Sequence, residues 1–264
     1  MADTMSPTST TRGATSLSPL TFGAVLRSGL FAGLASGVAA ALVAWLVVER
    51  PIRSALAIEE ARSHAAEGGA HEHEELFSRP VQVIGGMLAA VVVAVSIAII
   101  FAIVYAKVRH RLPAATDFGR AMLLAGVGFA TISLLPGLKY PANPPGVGDP
   151  ETVTSRTLYY VSFIGATMVV AYLAFVAREK LADRGWPIAY RSAAVAVGTI
   201  GALVLLALAW PANPDAIAAD IPAALLWQFR LYSLIELATL WAVLGLAFGL
   251  LLTPRSAKTA AVPQ

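Results

Sequence analysis

The chain has no cysteine. That excludes disulfides, thiolate metal sites, iron–sulfur ligation and cysteine nucleophiles. Charge is also scarce: Asp, Glu, Lys and Arg make up 13% of the residues, where a soluble domain carries about 25%. No Walker-type lysine loop is present, so the chain does not bind ATP in that way. Zincin, nucleophile-elbow and paired-carboxylate motifs are missing too, and no enzyme is expected. What remains is apolar: 57% of the residues are hydrophobic and the mean hydropathy is +0.70. This is the composition of an integral membrane protein. The pI near 9.3 does not point to nucleic acid, because charge in a membrane protein is distributed by side.

A membrane helix needs about 20 apolar residues. Six runs qualify: Ser28–Val48, Val81–Ala106, Ala121–Leu138, Thr157–Ala177, Ser192–Trp210 and Leu231–Leu252. The expected fold is therefore an all-α integral membrane protein of six transmembrane helices, since an open strand would leave backbone polar groups unpaired in lipid. Residues 1–21, rich in Ser, Thr and Pro, read as a disordered tail; 22–253 form the membrane domain; 254–264 form a second tail. An even number of spans puts both termini on one side. That side carries twelve Lys and Arg and the other seven, so the termini are expected in the cytoplasm of a multi-pass plasma-membrane protein.

Two stretches repeat. YPANPP (140–145) closes the third run, and WPANPD (210–215) closes the fifth. Each is followed by an arginine and a Leu-Tyr pair, at Arg156, Leu158, Tyr159 and at Arg230, Leu231, Tyr232. A duplicated helical hairpin accounts for this. With Arg79 opening the second run, three parallel hairpin repeats are expected.

Three features carry candidate chemistry. HAAEGGAHEHEEL (64–76) gathers His64, His71, His73, Glu67, Glu72, Glu74 and Glu75 on the outer side. Imidazole and carboxylate together suit divalent first-row metals, although a solvated acidic loop explains the segment equally well. No regular structure aligns all three histidines, and such ligands prefer nickel and copper to cobalt, so selectivity has to lie deeper. Pro141 and Pro211 end their helices; the exposed carbonyls with Asn143 and Asn213 are candidate cation contacts, and rigid interfacial turns are the plainer alternative. Glu236 is the only formal charge within a run. It is a candidate for the translocation path, or a partner for Arg230. Arg156 and Arg230 are read as snorkelling to lipid or pairing with an acid of the outer loops. Gly29, Gly33 and Gly37, like Gly245 and Gly249, recur every four residues and mark helix contacts within the bundle or with a partner, a homo-oligomer included.

The first run, the His/Glu segment, LLPGLKYPANPPGVGDPETVTSRTLYY (134–160) and WPANPD with FRLYSLIELATLW (229–241) resemble the cobalt transporter subunit CbtA family, in its actinobacterial form. The likeness covers about residues 22–252. It implies cobalt uptake serving cobalamin synthesis, with cobalt as cargo rather than a tightly bound cofactor, and a small one-span CbtB-like partner in the lipid bilayer. The competing reading is a non-transporting membrane scaffold whose glycine faces bind another subunit.

Overall fold

The computed structural model describes residues 20–67 and 78–253, and these are mostly helical, with no strand among them. Thr21 opens the first helix by accepting the Ala24 N–H at 3.2 Å. α1 (Phe22–Val43) passes through a π-helical turn, Ala44–Val48, into α2 (Glu49–Glu67) without a break. α3 is Arg79–Val108. α4 (Asp117–Gly128), capped by the Thr116 hydroxyl at 3.0 Å, runs through a second π-helical turn, Phe129–Leu134, into α5 (Leu135–Lys139). α6 (Val153–Asp183), α7 (Ile188–Ala209) and α8 (Ala223–Leu252) are the remaining helices of the described residues. Six helical rods are long and apolar enough to cross a membrane, in the order of the six apolar runs.

Both π-helical turns have the same origin. A proline inside a helix has no N–H and its ring collides with the carbonyl four residues back. For Pro51 that carbonyl belongs to Val47, and for Pro136 to Ile132; Val47 and Ile132 each lie in a π-helical turn. The wider turn lets both helices pass their proline.

The structure differs from the sequence expectation in length. The first rod does not end at Val48; it continues to Glu67. α2 is rich in Ala, Glu and Arg, all strong helix formers, but is too polar for hydrocarbon. It extends the rod as a polar arm. The third run, expected at Ala121–Leu138, spans Asp117–Lys139, and the π-helical turn carries this helix past Pro136.

The glycine stripes are used inside the chain. A Cβ on Gly33 would lie 2.8 Å from both the Ala98 Cβ and the Val95 Cα, and one on Gly29 2.7 Å from the Ala102 Cβ. Thus α1 lies backbone-close on α3. Gly245 and Gly249 of α8 meet Ala125 and Phe118 of α4 in the same way. The core lies between these helices, around Ala32, Ala98, Tyr105, Leu244 and Phe248. Packing runs α3, α1, α8, α4–α5, α6, α7. α7, at the end of that row, has no buried residue.

Candidate functional site

The two proline turns meet at one end of the bundle. α5 stops at Lys139, where Tyr140 turns to φ −127° and ψ 77°, and α7 stops at Ala209, where Trp210 is extended. The Tyr140 hydroxyl donates to the Pro211 carbonyl at 2.6 Å. Phe163 of α6 packs edge-on against both Tyr140 and Trp210, at 6.1 and 5.8 Å. The open carbonyls at these helix ends already have cationic neighbours from the chain itself. The Lys139 ammonium donates to the Ala207 carbonyl at 2.8 Å, and Arg230 Nε to the Ala142 carbonyl at 3.3 Å. A helix C-terminus favours positive charge, and here Lys139 supplies it.

Asp215 is the centre of this end, and its side chain is fully buried. It accepts from Arg156 Nη1, from Asn143 Nδ2, from the Asp149 N–H at 2.8 Å and from the Thr152 hydroxyl at 3.3 Å. Its own N–H donates to Asn213 Oδ1 at 3.1 Å. Asn143 Oδ1 accepts from Arg230 Nη2 at 2.9 Å. The arrangement is crossed: the arginine after the first turn holds the acid of the second, and the arginine after the second turn holds the asparagine of the first. Burial opposes ionisation of Asp215, but the Asp149 N–H, the Arg156 charge and bond and the Thr152 hydroxyl outweigh it, so its pKa lies below the ordinary 3.8. Gly148 closes the loop over the carboxylate at φ 109°, and a Cβ there would sit 2.8 Å from both Asp215 oxygens.

Arg230 therefore bonds Asn143, and Glu236 receives no hydrogen bond or ion pair among the described residues. Glu236 is half-buried on α8, six residues below Arg230 and thus about 9 Å further along the axis. Asn143, Asn213, Arg156 and Arg230 are brought together; Glu236 stands apart from them.

The arm α2 reaches the same end. Arg62 makes a two-pronged bridge to Asp220, at 2.7 and 2.6 Å, beside a cavity of about 300 Å³ lined by Arg62, Gly146, Asp149 and Ile221. His64, on the arm, is exposed and 4.0 Å from Glu60. Glu67 is the last helical residue of the arm. His71, His73, Glu72, Glu74 and Glu75 lie outside the described residues. Among the described residues no three His, Asp or Glu side chains converge as a metal ligand set.

The family model described as "Probable cobalt transporter subunit (CbtA)" matches residues 22–253. The chain belongs to the CbtA family. No curated protein and no solved structure matches it. The matched CbtA region starts at the first residue of α1 and ends one residue beyond α8, so it takes in every described membrane helix and both turns.

Sequence reasoning missed three clusters in this CbtA chain. Asp215 stands where the two repeated turns differ, with Pro145 in the other copy. That mismatch and the unpaired Arg156 were the signals for it. Glu49, with a side chain 9% exposed, takes a two-pronged bridge from Arg79 at 3.0 and 2.7 Å and another from Arg53. At the opposite end of the bundle, Asp117 gathers Tyr105, Arg109 and Arg120.

Proposed function

We propose that this chain is an integral-membrane subunit of a divalent-cobalt uptake transporter that supplies cobalamin synthesis, and that it catalyses no covalent reaction. The CbtA family match across the whole membrane domain carries the reading. Both termini lie in the cytoplasm, and the arm with its His/Glu segment lies outside, where His64, His71, His73, Glu67, Glu72, Glu74 and Glu75 collect the metal. Cobalt passes inward beside Glu236, a carboxylate without a partner among the described residues. An uncompensated carboxylate at membrane depth marks an ion pathway more often than a packing contact. The Asp215 cluster frames the outer entrance: Asn143, Asn213, Arg156 and Arg230 set its shape, bonded to Asp215 or to one another. The driving force is the membrane potential or a partner subunit, in the simplest case a small CbtB-like one-span protein.

The glycine stripes, which had favoured a scaffold, are occupied by α3 and α4. Radiolabelled cobalt uptake into cells expressing the chain tests the reading, with Glu236→Gln beside it. Uptake above the empty-vector level that Glu236→Gln removes supports it. Equal uptake by the two proteins sinks the role of Glu236.

A further inference from the structure

At the end of the bundle where α1 starts and α8 stops, two guanidinium groups share one carboxylate. Asp117 accepts from Arg109 Nε and Nη2 at 2.5 and 2.6 Å and from the Tyr105 hydroxyl at 2.8 Å. Arg120 reaches the same carboxylate only through Nη1, at 3.4 Å. The side chains of Arg109, Asp117 and Arg120 are 14%, 13% and 11% exposed. Arginine does not give up its proton, so this nearly buried group carries one excess positive charge. Arg120 also sits in the first turn of α4, where the positive helix end opposes it. Its Nε is buried and has no partner.

The arginines that open helices at the other end are treated differently. Arg79 and Arg156 each donate to protein oxygens. Arg191, at the start of α7 on the same side as Arg120, again has a buried Nε without a partner. So the protein satisfies its helix-opening arginines at the outer end and leaves donors unused at the inner end.

We propose that the guanidinium of Arg120 binds a phosphate group at the cytoplasmic surface. A guanidinium edge holds two phosphate oxygens by parallel N–H bonds, and the anion cancels the excess charge of the Arg109–Asp117–Arg120 group. The phosphate belongs to the headgroup of an anionic lipid or to a free phosphate ion. The site is independent of the metal reading.

The test is native mass spectrometry of the full chain in detergent, titrated with phosphatidylglycerol, phosphatidylcholine or inorganic phosphate. Arg120→Gln is compared with Arg111→Gln, which removes an equal charge from the exposed neighbouring turn. Preference for phosphatidylglycerol over phosphatidylcholine, weakened about tenfold by Arg120→Gln and little by Arg111→Gln, supports a lipid site. Phosphate binding lost only in Arg120→Gln supports a free-ion site. No preference for either anion in the wild type overturns the proposal, as does equal weakening by the two variants. Should Arg120→Gln fail to fold, Arg120→Lys decides. It keeps the charge and loses the fork, so weaker binding than wild type supports the proposal and unchanged binding overturns it.

Discussion

Asp215 takes four bonds from one stretch of chain: two from the loop after α5, one from the turn before α6 and one from the first turn of α6 itself. Removing it leaves a partly buried guanidinium and an amide without their acceptor, which costs on the order of 3 kcal/mol. Asp215→Ala is therefore expected to lower the thermal midpoint in detergent well beyond Asn213→Ala, whose side chain serves a single backbone bond worth about 1 kcal/mol. A smaller loss in Asp215→Ala than in Asn213→Ala would remove Asp215 from the centre of the cluster. The pH dependence follows from the same contacts. The folded pKa of Asp215 lies below 3.8, so its stabilisation is present above that value and is lost as pH falls through the folded pKa. The midpoint gap between wild type and Asp215→Asn should be full at neutral pH and shrink only below 3.8. A gap that closes between pH 5 and 7 would contradict this assignment.

Helices carry the next set of predictions. Gly33→Leu forces α1 off α3, because even a Cβ there would lie 2.8 Å from the Val95 backbone. Overpacking of this kind costs about 1–3 kcal/mol. Gly198 of α7 has nothing within 4 Å of its notional Cβ, so Gly198→Ala should be neutral or stabilise by up to about 1 kcal/mol. Thermal midpoints of the two variants measured side by side check the contrast, and similar losses for both would mean that α7 is covered. The run lengths, the glycine period and the helix-ending prolines were legible because each follows from a local rule: hydrophobic length, close approach, a missing N–H. The arm α2 was not. A polar segment after an apolar run looks like a loop by hydropathy, and only helix propensity and the passage around Pro51 keep it helical. Its anchor, Arg62 to Asp220, joins residues 158 apart, a pairing that no local pattern encodes.

On the scale of the whole molecule, six membrane-length helices and membership of the CbtA family were readable from the chain, and both stand. The site was readable only in part. The turns announced themselves by repetition, and Asn143, Arg156, Asn213 and Arg230 do meet there. Their partners came from three-dimensional crossing. Arg230 could be matched to Glu236 by nearness in sequence, yet α8 places Arg230 against the first turn instead. The consequence is a cross-linked cluster at the two turns and, further along α8, a carboxylate with no partner among the described residues. Transport through this chain should accordingly depend on Glu236 far more than on the hydrogen-bonding capacity of Asn213. The most direct test uses proteoliposomes holding the purified chain, alone and together with a small one-span partner, with radiolabelled cobalt outside and an inside-negative potential imposed. The account predicts time-dependent accumulation in at least one of the two preparations, strongly reduced by Glu236→Gln and kept by Asn213→Ala. Accumulation no greater than in empty vesicles in both preparations would contradict it.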